Sequence, residues 1–286
     1  MNKKLILPIA LVVATSVFIS GCKKFVHQDI KAASNSSVAI STFNDVFEQL
    51  NSAVSYEVAL SGMTNPSWNL HGTICADVTL SPLGTTFPKT LTIDYGTGCI
   101  GSDGVSRSGK IMAIFSGDFR SENTTVNISF ENYTNGQYTV TGTDSVTNTG
   151  TDANGNPIFS EVIRDVTISW NTQEILWHAD LNRTWLEGDT TNFTTDTIGG
   201  TLGLAGLNDD VFTLSGTAIG NDSNTHPFSL EVTQPLVLPT SCKWITEGML
   251  IVSPVNFNAG TVDYGTGDCD KQVTIEVDGE VFNFTL

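Results

Sequence analysis

From Glu174 to Asn182 the chain sorts its side chains by parity. Ile175, Trp177, Ala179 and Leu181 fall on one side, and Glu174, His178, Asp180 and Asn182 on the other. A strand points successive side chains to opposite faces, so a period of two with one apolar face describes an antiparallel strand wet on one side. The period recurs in Val126, Ile128 and Phe130, in Tyr138 and Val140, and in Val166, Ile168 and Trp170. Turn signals separate these runs: Asn135-Gly136, Ala153-Asn154-Gly155-Asn156-Pro157, Asn208-Asp209-Asp210 and Asp278-Gly279. The spacing predicts about a dozen strands, the last over 281–286. Past residue 60 the chain is rich in Gly, Thr, Ser, Asn and Asp and poor in Lys, Glu and Ala, as strands joined by tight turns require. No helix-length apolar pattern interrupts the strands, which argues against βαβ units. The expected fold is mainly β: a large antiparallel sheet, whether curved sheet, sandwich or open barrel, with one N-terminal amphipathic helix.

That helix is written in Phe43, Val46, Phe47, Leu50, Val54 and Val58, spaced three and four apart, one apolar stripe on a helical surface. Ser41 or Thr42 is the expected N-cap, and the helix should end near Gly62, before the Asn65-Pro66 turn. The stripe is expected to pack on the sheet. Residues 22–40, polar by comparison, read as a flexible tether, leaving 41–286 as helix plus β domain.

Five cysteines are present. Four of them, Cys75, Cys99, Cys242 and Cys269, allow three pairings, and spacing alone does not choose among them. An internal repeat does. Cys75 leads through Ser81-Pro82 and Asp94-Tyr95-Gly96-Thr97-Gly98 to Cys99, and Cys242 through Ser253-Pro254 and Asp263-Tyr264-Gly265-Thr266-Gly267 to Cys269. The expected disulfides are Cys75–Cys99 and Cys242–Cys269, as an oxidising compartment permits. A zinc site is the rival, without a CxxC pair or His doublet to support it. A softer repeat relates Tyr133–Thr143 to Leu207–Thr217: hairpin turn, alternating strand, then a Gly-Thr break where the strand bends or bulges. Together the repeats suggest two related halves, 68–170 and 174–286, with no linker between them.

The fifth cysteine follows Ile19-Ser20-Gly21, behind Lys3-Lys4 and an apolar run from Leu5 to Ile19. That run is short of the roughly 20 residues that cross a bilayer and has the build of an export signal. Ile19-Ser20-Gly21-Cys22 resembles the lipobox of bacterial lipoproteins. The resemblance implies removal of residues 1–21, two or three acyl chains on Cys22, and a place in the cell envelope at the outer membrane. Two chains hold a protein firmly where one holds it marginally. The rest of the chain resembles uncharacterised β-rich lipoproteins of Gram-negative bacteria through its Asp-Tyr-Gly-Thr-Gly…Cys repeat, which implies a location and a fold but no activity.

Charge narrows the partners. The net charge is −17, which sets nucleic acid aside because phosphate binding needs a basic surface. The four histidines, His27, His71, His178 and His226, form no HxH, HExxH or Hx3H spacing, and no GxSxG elbow, P-loop or GxGxxG occurs. A convergent Ser-His-Asp triad stays open, as it does for any sequence, with His178 beside Asp180 the one near pair. Asp94 and Asp263, in the repeated turn, are weak cation candidates; the plainer reading has each carboxylate bonding nearby backbone N–H groups. Asp152–Asn156 lacks the Gly and Glu positions of a calcium loop. Asp144-Ser145-Val146, Asp189-Thr190-Thr191 and Asp196-Thr197-Ile198 resemble a bacterial O-glycosylation motif, with little weight in a chain so rich in Thr and Asp. Trp177 and Trp185 share a strand face with Leu181 and Arg183, and are the candidate ligand contacts if that face is exposed. No cofactor is implied.

These features lean away from catalysis. They favour a membrane-anchored binding or structural module for a glycan, protein or lipid. The alternative is a lipid or lipoprotein carrier holding apolar cargo in a curved sheet, similar in outline to the periplasmic lipoprotein-carrier fold.

Overall fold

The computed structural model describes residues 20–60, 68–69, 75–189, 197–198, 201–202, 209–224 and 226–285, with side-chain detail over 30–54, 75–189, 209–224 and 226–285. Among the described residues the first element is a helix, α1 (Ser20–Leu60), and every later one is a strand. The first group is β1 (Trp68–Asn69), β2 (Asp77–Ser81), β3 (Lys89–Asp94), β4 (Cys99–Ile100) and β5 (Ser106–Phe115). Four long strands follow: β6 (Thr125–Asn135), β7 (Tyr138–Thr151), β8 (Pro157–Trp170) and β9 (Gln173–Glu187). A small hairpin, β10 (Thr197–Ile198) with β11 (Thr201–Leu202), precedes β12 (Val211–Asp222), β13 (Pro227–Pro239) and β14 (Glu247–Pro254). The last three are β15 (Gly260–Thr266), β16 (Gln272–Val277) and β17 (Glu280–Thr285).

Fourteen of these strands form one antiparallel sheet in the order β1-β2-β3-β5-β6-β7-β8-β9-β12-β13-β14-β15-β16-β17, with β4 attached to β5. It is a meander, and it is open, since no ladder joins its two edges among the described residues. A sandwich is thereby set aside. β8 and β9 pair along their length from Trp170↔Gln173 outward, with one register shift between Ile163 and Val166, so the sheet runs from one proposed half into the other.

The two Gly-Thr breaks are β-bulges. The register shifts at Gly142, between Thr141 and Thr143, and at Gly216, between Leu214 and Thr217. Both glycines take φ values, 110° and 125°, that side chains rarely adopt, and both lie against a neighbouring backbone. Such bulges bend a strand and deepen its twist, which is how a long sheet curls.

The concave face holds α1. Phe47 packs its ring against Phe119, Phe159 and Phe212, at centroid distances of 6.3, 6.1 and 5.2 Å. Phe43 meets Phe130 edge-on at 6.3 Å. Ser37 shares a hydrogen bond with Tyr264 of β15 at 2.9 Å. Partners spread from β6 to β15 mean that the sheet wraps the helix rather than lying flat beneath it. Burying a side chain of Phe size contributes about 1.5–3 kcal/mol, so Phe43 and Phe47 are the helix's main anchors.

The tether expectation for 22–40 is corrected. The helix starts at Ser20, and Ala32, Ala33, Ser36, Ser37, Ala39 and Ile40 are buried. Apart from Ile40, they continue the stripe of Phe43 and Phe47 in small residues, which carry little hydropathy but let the helix approach the sheet closely. Thr42 is therefore interior rather than a cap, and its hydroxyl bonds back to the Val38 carbonyl at 2.8 Å. Cys22 falls in the first turn of α1. The lipobox-like sequence up to Ile19 lies outside the described residues.

Both disulfides form as the repeat predicts, Cys75–Cys99 and Cys242–Cys269. The loops they close, with sequence separations of 24 and 27, each restrict the unfolded chain by about 3 kcal/mol.

Candidate functional site

The helix has a second face. Beside the Phe43–Phe47 stripe run Asn44, Asp45, Glu48 and, a turn on, Asn51; Asn44, Asp45 and Asn51 find partners across the fold, while Glu48 is bonded by Asn44 of its own helix. Arg107 of β5, 2% exposed, donates from Nε to Asp45 Oδ2 at 3.0 Å and from Nη2 to Asp45 Oδ1. The same guanidinium bonds Asp103 through Nη1 at 3.2 Å and Nη2 at 2.6 Å. Tyr133 and Asn135 donate to Asp45 as well, at 3.2 and 2.9 Å. Asp45 is thus fully engaged. Its charge, with that of Asp103, holds the Arg107 guanidinium protonated despite burial.

A second network starts from the neighbouring residue, Asn44. Arg183 of β9 donates to Asn44 Oδ1 at 2.8 Å and to Glu161 Oε2 of β8 at 3.0 Å, while its guanidinium lies 4.1 Å over the Phe47 ring. Asn44 Nδ2 donates in turn to Glu48 Oε1 at 2.7 Å. Asp144 of β7 is buried beside this group with both carboxyl oxygens unpartnered, as is Glu161 Oε1. Burial and the Glu161 charge push the Asp144 carboxyl well above the usual carboxylate range, with Arg183 opposing. Asp144 is therefore a core residue, not part of a surface glycosylation motif. Burial, reinforced by Asp45, likewise raises Glu48 from 4.5 to about 8.

At the far end of the described helix, Asp210 receives Trp185 Nε1 at 3.2 Å and Asn51 Nδ2 at 3.0 Å. Its pKa rises from 3.8 to about 6, burial outweighing those two hydrogen bonds. Between these values the folded chain keeps a proton that the unfolded chain releases, so stability falls as pH rises from about 4 to 6. In Asp210→Asn this loss is removed. The Tm of the variant relative to the parent is expected to climb across that window and stay level above pH 7, as a thermal series in steps of half a pH unit would read. A difference independent of pH would contradict the assignment.

Between the polar face of α1 and the sheet lies a cleft of about 780 Å³. One wall is the helix, with Ser34, Ser37, Ser41, Asp45 and Glu48 repeating every three or four residues. The opposite wall is apolar, built by Val273 and Ile275 of β16 and Phe284 of β17. The loop before β5, with Asp103, and the loop after β13, with Lys243 and Trp244, complete the rim. Ligand cavities commonly run from about 300 to 1,000 Å³ and pair apolar walls with a few placed polar groups.

The other expected sites fare differently. Trp177 and Trp185 are 0% and 1% exposed. They belong to the core, Trp177 near Phe228 and Trp185 near Phe212, so the expectation that they touch ligand is corrected: their strand face is the one the sheet turns inward. Asp94 and Asp263 each accept a hydrogen bond from the glycine two residues on, Gly96 and Gly265, at 2.8 Å. They sit on β3 and β15, and no contact joins them among the described residues. His178 accepts a hydrogen bond from the Asp165 backbone N–H at 3.3 Å, while Asp180 pairs with Arg164 at 2.5 Å, so the two do not form a dyad. His226 does meet a carboxylate, Asp222, at 3.2 Å. That carboxylate is occupied by Lys31 of α1 at 2.9 Å and by the N–H groups of Asn224 and His226, a clamp on the helix rather than a base awaiting a substrate.

The cleft residues were not marked by any motif, because they come from separate stretches of chain. Arg183 did carry a signal, being charged on a face otherwise built of Trp177, Leu181 and Trp185. No family model matches the chain, and no curated protein or solved structure shows significant similarity to it.

Proposed function

We propose that the protein is a non-catalytic binding module of the bacterial cell envelope, held at the outer membrane by acyl chains on Cys22 and taking its ligand in the cleft beside α1. The observation that carries the binding role is the cleft itself, about 780 Å³ between a serine- and carboxyl-bearing helix face and an apolar sheet wall. The lipobox-like Ile19-Ser20-Gly21-Cys22 supports the anchor. Such a lining suits an amphipathic molecule, polar end toward α1 and apolar end toward β16 and β17.

The test is the mass of a soluble Cys22→Ser form purified without detergent. Native mass spectrometry is expected to show an excess over the denatured mass, released on unfolding. Equal masses, with failure to bind a micromolar apolar fluorophore, would overturn the reading. The apolar wall of the same cleft also supports a carrier. A carrier speeds exchange of labelled acyl lipid between vesicles, and a static module does not.

A further inference from the structure

Resting on the binding role just proposed, we infer that the cleft selects uncharged amphiphiles, acyl esters or amides with a hydroxylated head. The carboxyl O–H of Glu48 donates a hydrogen bond to the ligand's carbonyl oxygen, and the acyl chain lies along Val273, Ile275 and Phe284.

The argument starts from which groups in the cleft still have bonding capacity. Asp45 takes Arg107, Tyr133 and Asn135, and Asp103 takes Arg107 and the Val105 N–H. Neither carboxylate needs a ligand cation. Arg107 spends its donors on those two carboxylates and is 2% exposed, so it offers nothing to a ligand anion. Lys243, exposed on the rim, lies 5.1 Å from the Trp244 ring, as does Lys271. Two ammonium groups near that ring make it a poor cage for a cationic head. An anionic head, at the other extreme, would be buried beside Asp45 and Asp103 with no deep cation to receive it, at the steep cost of an unpaired buried charge.

Glu48 is different. Its Oε1 is taken by Asn44, but its Oε2 has no hydrogen-bond partner among the described residues. The groups acting on it are Asp45 from its own helix, which favours the neutral form, and Arg107 of β5 and Arg183 of β9, which oppose. Burial decides the balance, so near neutral pH Glu48 is a carboxylic acid and a donor. A neutral carboxyl beside serine hydroxyls recognises a carbonyl and hydroxyls. Facing it across the cleft, an apolar wall recognises a hydrocarbon chain.

The experiment uses the full-length Cys22→Ser protein and three probes sharing one fluorescent acyl chain: a monoacylglycerol, the free acid and a primary amine. At pH 6.5 the glycerol ester is expected to bind at least tenfold more tightly than the acid or the amine. Raising the pH to 9.5 ionises Glu48 and should weaken ester binding about tenfold. Glu48→Gln, which keeps a donor that does not titrate, should retain ester binding and lose the pH dependence. Equal affinity for the acid or amine, or pH dependence that survives Glu48→Gln, would overturn the selectivity and leave the binding role standing. The comparison among probes on the unaltered cleft needs no Glu48 variant to fold. Failure of all three probes would bring down the binding role itself.

Discussion

Arg183→Met is expected to destabilise the protein by about 3–5 kcal/mol, the usual result of removing one partner from a buried ion pair. The side chain is 1% exposed and its partner Glu161 is fully buried. Without the guanidinium, Glu161 would face Asp144 in a region where neither carboxyl oxygen of Asp144 finds a donor. For a chain of this size the loss corresponds to a fall in Tm on the order of 10 °C. The double variant Arg183→Met/Glu161→Leu should recover much of it, since replacing a whole buried pair by apolar residues costs far less than breaking it. Thermal unfolding followed by circular dichroism reads both. A single variant within about 2 °C of the parent, or a double variant worse than either single, would refute this view of the core.

Gly142→Ala is the second large effect, for a reason unrelated to charge. A β-carbon there would stand 2.6 Å from the Asp165 carbonyl oxygen and 2.6 Å from the Val166 Cα, on a backbone held at φ 110°. Positive-φ strain alone costs about 1–3 kcal/mol, and backbone atoms cannot step aside as a flexible side chain would. A total loss of about 3 kcal/mol or more is expected, in the range reserved for strain and overpacking. Gly216→Ala should behave alike, its β-carbon meeting the Asp180 carbonyl oxygen at 2.3 Å. Gly96→Asn is the control: φ is 57°, nothing lies within 4 Å, and Asn accepts that region readily. Urea midpoints should separate the two bulge variants clearly from the turn variant. A Gly142→Ala midpoint matching that of Gly96→Asn would mean that the bulge does not bend the sheet as described.

Much of the sheet was legible because strand periodicity is a local property. Ile175 to Leu181 alternate, and they are strand β9; Asp278-Gly279 reads as a tight turn, and both residues take positive φ between β16 and β17. The disulfides were legible through the repeat around Tyr95 and Tyr264. The early start of α1 was not, because Ala32, Ala33, Ser36 and Ser37 announce burial by small size rather than hydropathy. Nor was the cleft. Ser34 and Glu48 face it only because the sheet curls far enough to bring β16 and β17 opposite the helix, and curl is set by bulges summed over many strands. Arg107 looks like a surface cation in isolation, and the burial of both Arg107 and Arg183 depends on carboxylates contributed by the loop before β5, by α1 and by β8.

The meander also orders events in time. Each sheet strand finds its partner in the next stretch of chain, so neighbouring hairpins can close without waiting for distant segments. The helix has no such freedom. Ser37 bonds Tyr264, 227 residues further on, and Phe47 needs Phe119, Phe159 and Phe212 together. The helix is made before the strands that cover it and is among the last elements to be housed, carrying Ile40, Phe43, Phe47 and Leu50 uncovered in the meantime. An apolar stripe left waiting while more than 200 residues emerge is the kind of surface on which chains stick to one another or are held by chaperones. For this architecture, the passage from ribosome to folded state is most exposed at α1, and closure of the sheet around it is what ends that exposure.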